Sequence, residues 1–147
     1  MQESATMPTQ EIPALPPTFW DTIADNYAAQ AVEDPAAYTR KLDITKALLT
    51  PEHRVLDVGC GTGSLALELA PHAARVDSVD SSEAMVDIAR GKVAAAGVSN
   101  IEVHQHLAEA ALPFAAGTFD MVCAYNLLHL VEDRHAALDQ WYAALKS

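Results

Sequence analysis

The stretch VLDVGCGTGS, residues 55–64, decides the fold that this chain is predicted to adopt. Its first four residues form a short, mostly apolar run, and glycines then follow at positions 59, 61 and 63. An apolar run that ends in glycine is typical of a buried strand, and Ser64 opens a helical pattern. Glycine adopts positive φ readily and leaves no Cβ between the backbone and a ligand. The stretch therefore predicts a strand, a tight binding turn and a helix in succession.

Outward from this stretch, the spacing of apolar residues switches between the strand period and the helix period. Two helices are predicted before the first strand, one from Thr18 and one from Asp34 to Thr50. Strands are predicted at 54–58, 75–80, 100–106 and 118–125, and helices at 64–70, 82–96 and 134–146. Strands that alternate with helices imply right-handed crossovers and a parallel sheet covered on both faces. The predicted fold class is therefore α/β, with a Rossmann-like sheet preceded by two N-terminal helices.

Length, composition and charge suit one acidic domain. The chain has 147 residues, and residues 1–17 hold four prolines and few large apolar residues. We therefore expect a disordered arm at 1–17 and a folded domain at 18–147. The net charge of −11 argues against a nucleic-acid partner, because binding a phosphate backbone needs a basic surface.

The sequence also lacks the usual marks of membrane insertion and secretion. No apolar run approaches the ~20 residues that a bilayer-spanning helix needs. The first 20 residues have neither the basic region nor the apolar region of a secretory signal. Two cysteines are too few for a disulfide framework. We expect a reduced, soluble, cytoplasmic protein without a membrane partner.

Two aspartates near the predicted turn indicate the chemistry of its ligand. Asp57 lies just before the glycines, where its carboxylate would repel a pyrophosphate but attract an ammonium group. Asp80 ends the second predicted strand, where an acidic side chain can accept the hydroxyl protons of a ribose. An amino-acid group near Asp57 and a ribose near Asp80 together describe S-adenosylmethionine.

Two other classes of protein remain as alternatives. A nicotinamide-dependent oxidoreductase also uses a strand, a glycine turn, a helix and a later acid, but its glycines follow the spacing G-x-G-x-x-G. Here Gly59, Gly61 and Gly63 alternate instead. The second alternative is a module that binds the cofactor without transferring a group.

Four ordered segments resemble signatures of the class I S-adenosylmethionine-dependent methyltransferases that act on small molecules. They are 55–63, 79–85, 112–122 and 125–130, and residues 19–27 resemble the helix that covers the cofactor in many members. The resemblance extends over about 18–146. It implies a sheet with the strand order 3-2-1-4, and it implies that strands 5–7 of the family fold are absent from the chain.

The resemblance implies a role for each matching residue. Glycines 59, 61 and 63, with the backbone of Cys60, would approach the methionine part of the cofactor. Asp57 would lie beneath its amino group, and Asp80 would bind the ribose hydroxyls. The remaining predicted contacts are Ser81 and Met85 beside the adenosine, Leu107 and Ala108 beside the adenine, Asn126 near the methyl group, and Tyr27 from the N-terminal helix, with Tyr38 as a further candidate.

Several of these side chains also have plainer structural interpretations. Asp80 also suits a helix cap, and Tyr27 lies on an apolar stripe that suits the core. Many family members place an aspartate after the third strand to bind the adenine, whereas residues 104–109 read HQHLAE. Because a sulfonium methyl is already activated, in-line displacement needs chiefly alignment, and no catalytic residue is assigned.

The other chemically active side chains carry weaker predictions. His129 is a candidate general base, although a packed structural role is favoured. The thiol of Cys60 is not predicted to be a nucleophile, and His104 with His106 is not predicted to bind a metal. The resemblance implies a small-molecule methyl acceptor of unknown identity. A fourth strand at the edge of the sheet would favour self-association.

Overall fold

The structure is a computed structural model that describes Asp21, Ala24 and residues 34–107, 110–125, 127 and 130–147. The arm predicted at 1–17 lies outside the described residues. So does most of the first predicted helix, of which Asp21 and Ala24 are described and helical.

The described elements alternate between helices and strands from α1 to β3, and β4 is the next described element, in the order that the sequence predicts. In chain order they are α1 (Pro35–Ala47), β1 (Arg54–Val58), α2 (Ser64–Leu69), β2 (Arg75–Asp80), α3 (Glu83–Ala96), β3 (Ile101–Gln105), β4 (Met121–Cys123) and α4 (Arg134–Ala144). A single 3₁₀ turn, Ala70–His72, follows α2 and contains Pro71, the residue just after the predicted end of this helix. No helix among the described residues is long and apolar enough to cross a bilayer.

The strands form one parallel sheet in the order β3-β2-β1-β4. This confirms the predicted α/β class and the strand order. Val55 on β1 lies opposite Val76 of β2 and Met121 of β4. Because neighbouring side chains of a strand point to opposite faces, β1 feeds two cores. Val55 packs with α1 and α2, whereas Leu56 and Val58 pack with Phe119 and α4.

Short polar residues set the beginnings of the longer helices. Asp34 accepts a hydrogen bond from the Ala37 amide at 3.0 Å and is followed by proline, so α1 begins where predicted. Ser82 caps α3, and Gly97 ends that helix at a φ of 67°. These caps place the first turn of α3 directly after Asp80, at the carboxyl edge of the sheet.

The fourth strand is shorter than predicted. The sequence predicts 118–125, but only Met121–Cys123 pairs with β1. Phe119 instead forms an isolated parallel bridge with Leu145, to which its own amide and the amide of Lys146 contribute. The apolar content of 118–125 therefore serves two separate partners, β1 and the segment after α4. That segment also ends α4 at Ala144 rather than at the predicted Lys146.

Candidate cofactor site

The glycine loop lies at the carboxyl end of β1 and bends over the end of β2. The amides of Gly59 and Cys60 donate to the carbonyl of Val79 at 2.8 Å and 3.0 Å. The φ angles of Gly59, Gly61 and Gly63 are 68°, 54° and 86°, which is the left-handed region that disfavours side chains. The loop therefore needs glycine for its conformation and exposes backbone to whatever lies beside it.

Two of these glycines also have little room for a side chain. A Cβ at Gly63 would lie 3.0 Å from the Cβ of Ala89 on α3, and one at Gly59 would lie 2.8 Å from the side chain of Leu127. Gly63 thus lets α2 and α3 approach closely, which is a packing role that the sequence does not reveal.

Asp57 is a buried carboxylate with an unused oxygen. Its side chain is 1% exposed, and Oδ2 has no hydrogen-bond partner among the described residues. Burial, and then the charge of Asp80, raise the pKa of Asp57 to about 8. A buried polar atom without a partner is costly, so this oxygen is suited to receive a donor from a ligand. An ammonium group is a hydrogen-bond donor, and its positive charge interacts favourably with the carboxylate form of Asp57.

Asp80 lies at the end of the neighbouring strand and holds the loop in place. Its Oδ2 accepts from the Gly61 amide at 2.9 Å, and its Oδ1 accepts from the Ser82 amide at 2.9 Å. Burial raises the pKa of Asp80 above its usual range, and these two hydrogen bonds oppose the shift. Each carboxylate oxygen retains a further acceptor site, which suits the hydroxyl groups of a ribose. The helix-cap interpretation and the ligand interpretation of Asp80 are thus compatible.

Three other predicted contact residues lie near Asp80. The Ser81 carbonyl accepts from Gln105 at the end of β3 at 3.1 Å. The amide of His106 donates to the Asp80 carbonyl at 2.8 Å, which brings the exposed Leu107 to the same edge of the sheet. Met85 lies in the first turn of α3, where its side chain is buried. Tyr27, Ala108, Asn126 and His129 lie outside the described residues.

Asp21 is a functional candidate that the sequence alone did not identify. Its Oδ1 accepts from the Ser82 hydroxyl at 2.6 Å and from the Ala84 amide at 2.9 Å. Asp21 and Ser82 are 61 positions apart in the sequence. The only sequence signal for Asp21 was its place within the segment 19–27, which resembles a cofactor-covering helix.

The thiol of Cys60 does not point to nucleophilic chemistry. It is buried, and its contact at 3.6 Å is with the carbonyl of Gly61. Burial, followed by the charges of Asp57 and Asp80, raises the pKa of Cys60 well above its usual value. Because the thiolate is the reactive form, this thiol is inert at neutral pH.

Of the two histidines considered from the sequence as metal ligands, His104 on β3 belongs to an ion-pair cluster, whereas His106 contacts the Leu107 carbonyl. Asp77, Glu102 and His104 bring ligand atoms within 4.8 Å of one another, as no other set of described residues does. However, the Asp77 carboxylate is already engaged by Arg54 at 2.9 Å and by Arg75 at 3.0 Å. Two guanidinium groups on the same carboxylate repel a metal cation, so the cluster is a structural one.

Helix α1 is fastened to the end of β4 by a tyrosine. The hydroxyl of Tyr125 donates to the Lys41 carbonyl at 3.0 Å and is also hydrogen-bonded to the Thr45 hydroxyl. Tyr38, the further candidate from α1, is partly buried against the same core cluster as Tyr125. These contacts fix the position of the chain just after β4, where the segment 125–130 begins.

Comparison with known proteins identifies the family. A family model described as a methyltransferase domain matches residues 55–147. The uncharacterized methyltransferase YcgJ of Bacillus subtilis is 38% identical over 96 residues, which cover 65% of this chain and 38% of YcgJ. The crystal structure of YcgJ matches at a TM-score of 0.70 and 32% identity, over 76% of this chain and 47% of that one.

Two further relatives extend the match. The ubiquinone/menaquinone biosynthesis C-methyltransferase UbiE of Geotalea daltonii is 32% identical over 111 residues, which cover 73% of this chain and 47% of UbiE. The [4+2]-cyclase SpnF matches at a TM-score of 0.75 and 25% identity, over 90% of this chain and 59% of SpnF. The chain thus spans about half the length, or less, of the curated relatives YcgJ and UbiE.

The family match covers the glycine loop, the acid at the end of β2 and the fourth strand, which are the features that the geometry brings together. This chain therefore belongs to the family of S-adenosylmethionine-dependent methyltransferases.

Proposed function

We propose that the glycine loop binds S-adenosylmethionine and that the protein transfers its methyl group to a small-molecule acceptor. The observation that carries this proposal is the buried Oδ2 of Asp57, which has no partner within the described part of the chain and lies beside a loop of three glycines. Asp57 would receive the ammonium group, the loop backbone would receive the methionine part, and Asp80 would receive the ribose hydroxyls. The resemblance assigns Ser81, Met85 and Leu107 to the adenosine.

The chemistry that the cofactor supplies is an activated methyl group on a sulfonium. The residues of the chain would bind and align the reactants and keep water away, because transfer proceeds by in-line displacement at close approach. Asn126 near the methyl group and His129 as a base for acceptors that must lose a proton remain predictions. Cys60 plays no part in this mechanism beyond its backbone.

The acceptor is proposed to be a small organic molecule. The name of the relative UbiE places that protein in ubiquinone and menaquinone biosynthesis, and a quinone is an organic molecule rather than a nucleic acid or a protein. The net charge of −11 also disfavours a nucleic-acid acceptor. The chain spans about half the length, or less, of YcgJ and UbiE. The methyl-transfer activity of the whole protein is therefore a proposal and does not follow from these relatives alone.

Calorimetric titration tests the binding half of this proposal. S-adenosylhomocysteine should bind more tightly than NAD, and Asp57→Asn and Asp80→Asn should each weaken binding by about tenfold or more, as expected for a lost charged hydrogen bond. Asp43→Asn, which changes an exposed aspartate of α1, is the matched control and should bind normally. Preference for NAD would favour the oxidoreductase alternative and overturn the proposal.

A transfer assay tests the catalytic half. Radiolabel should pass from S-adenosylmethionine to a component of a metabolite mixture. The second candidate is a protein of this fold that binds the cofactor without transferring its methyl group. The likeness to SpnF supports it, because that protein has this fold and is named as a cyclase rather than a methyltransferase. Tight binding of S-adenosylhomocysteine without any label transfer would favour that candidate.

A further inference from the structure

The carboxylate of Asp21 joins the N-terminal segment to the first turn of α3. It accepts two hydrogen bonds through one oxygen, from the Ser82 hydroxyl and the Ala84 amide. Ala24, one helical turn after Asp21, is 2% exposed, so this part of the segment lies against the domain. The contact therefore fastens a residue near the start of the chain to the edge of the sheet that carries the candidate site.

Ser82 connects this contact to the glycine loop. Its hydroxyl donates to Asp21 and accepts from the Met85 amide at 3.2 Å, while its own amide donates to Asp80. Asp80 in turn accepts from the Gly61 amide. The hydrogen bonds form a continuous chain from Asp21 through Ser82 and Asp80 to the loop. Ser82 is fully buried, so water does not replace these partners easily.

An aspartate suits this place for two reasons. The first amides of a helix have no partner within the helix, and Asp21 satisfies that of Ala84. A carboxylate at this end also interacts favourably with the dipole of α3, which has 14 residues. The capping hydroxyl of Ser82 alone satisfies only the Met85 amide. Asp21 thus completes the cap of α3 from outside the helix.

We propose that Asp21 is a positioning residue, which holds the first turn of α3 so that Asp80 presents its carboxylate to the ribose of the cofactor. This role rests on the proposed binding of S-adenosylmethionine. Asp21 acts through Ser82 and Asp80 rather than by touching the ligand. What matters is then an acceptor oxygen at this place, and the negative charge is secondary.

The test compares variants of the full chain by calorimetry with S-adenosylhomocysteine. Asp21→Ala removes two hydrogen bonds and should weaken binding about 5–30-fold. Asp21→Asn keeps an acceptor oxygen of the same reach and should stay within about threefold of the wild type. Asp21→Glu keeps the charge but displaces the oxygen by one methylene, so it should weaken binding; it replaces the alanine variant should that variant not fold. Asp43→Ala is the control and should change nothing.

A second readout does not depend on the ligand. Hydrogen exchange at residues 82–85 of the unliganded protein should be faster in Asp21→Ala than in the wild type and close to normal in Asp21→Asn. If the wild type binds and Asp21→Ala binds equally well, the positioning role is overturned and the proposed function is not. Equal weakening by Asp21→Ala and Asp21→Asn would overturn it in favour of a charge effect. Failure of the wild type to bind would overturn the proposed function and this role with it.

Discussion

The position of Asp57 near the end of β1 suits ligand binding but lowers the stability of the fold. Asp57 is buried, and none of the described residues gives its Oδ2 a hydrogen bond, so folding removes this ionisable group from water without compensation from that part of the chain. Because the pKa of Asp57 rises from 3.8 to about 8 on folding, the folded state holds a proton that the unfolded state has lost between those values. The contribution of Asp57 to stability is therefore most favourable below pH 4 and is lost as pH rises towards 8.

Replacing Asp57 with asparagine should separate the two effects. We expect Asp57→Asn to be more stable than the wild type at pH 8, with an advantage that grows from pH 5 to pH 8 by at most about 1.4 kcal/mol per pH unit. The same variant should bind S-adenosylhomocysteine more weakly, because the ammonium group loses its charged partner. Urea unfolding at several pH values, monitored by circular dichroism, measures the first effect.

The control for this prediction is Asp87→Asn, an exposed aspartate on α3. It should change the free energy of unfolding by less than about 0.5 kcal/mol at every pH. A stability difference between Asp57→Asn and the wild type that does not vary between pH 5 and pH 8 would contradict a raised pKa.

At this scale the sequence predicted the acids but not their surroundings. Asp57 follows from its place in the apolar run that leads into the glycines, and Asp80 follows from its place at the end of the second predicted strand. The unpartnered oxygen of Asp57 and the contact of Asp21 with Ser82 depend on elements that meet only in the folded chain. No local pattern encodes a hydrogen bond across 61 positions.

At the scale of elements, α2 and α3 meet closely at Gly63, beside the candidate site. Gly63 lies at a φ of 86° against Ala89 of α3. Gly97 lies at a φ of 67°, and no described residue would lie within 4 Å of a Cβ added there. The two glycines therefore share a backbone conformation and differ in the space around them. They form a natural pair for separating strain from packing.

Alanine substitutions at these two positions should differ in cost. Gly97→Ala should destabilise the protein by about 1 kcal/mol, which is the cost of a left-handed alanine. Gly63→Ala should cost about 2–4 kcal/mol, because the added methyl group also pushes α2 away from α3. Urea unfolding measures both. Equal losses for the two variants would show that Ala89 yields freely and that the close approach of the helices is not required.

Asp77 joins three neighbouring strands at the other end of the sheet. It accepts from Arg54 of β1 and Arg75 of β2, and His104 of β3 lies 3.5 Å away. Burial alone would raise the pKa of Asp77, but the nearby His104 side chain and the hydrogen bonds from Arg75 and Arg54 hold it well below its usual range. Its stabilising contribution is therefore present at neutral pH and is lost in acid, below the ordinary pKa of an aspartate.

Removing the charge of Asp77 should destabilise the sheet. We expect Asp77→Asn to lower the free energy of unfolding at pH 7 by about 2–3 kcal/mol. This is less than for a fully buried pair, because the side chains of Arg54 and Arg75 are 34% and 43% exposed. The loss should shrink as pH falls below 4. A loss no larger than that of Asp87→Asn at pH 7 would contradict this role.

The element bounds show where sequence patterns succeed. The strands β1 and β2 were predicted with the correct ends. The mostly apolar β1 ends at the glycine loop, and β2 ends at Asp80, just before the two serines that lead into α3. The fourth strand was predicted too long, because its apolar residues look alike in sequence although they contact three different parts of the chain: β1, the segment at Leu145, and α1. Phe119 and Tyr125 belong to the second and third of these contacts.

The whole molecule has an edge at β4. Among the described residues, Met121–Cys123 pairs with β1 on one side, while on the other side only the bridge of Phe119 with Leu145 begins a further pairing. Backbone groups at such an edge are free to pair with another strand. We propose that this edge brings two copies of the chain together.

Light scattering after size exclusion tests this association. The mean mass should exceed the 15.7 kDa of one chain and should rise with protein concentration. Moderate salt should increase association, since it screens the repulsion between copies that each carry a net charge of −11. A constant mass of one chain over a hundredfold range of concentration would contradict the proposal.

The two buried cysteines give the molecule a pair of internal reporters. Cys60 lies in the core cluster with α3 and β3, and Cys123 lies in the cluster with α1 and α2. Burial raises the pKa of both thiols, so neither reacts with an alkylating reagent until its own cluster opens. The rate at which each thiol is alkylated therefore measures the opening of its own core cluster. A ligand at the glycine loop that tightens one cluster more than the other would change the ratio of the two rates.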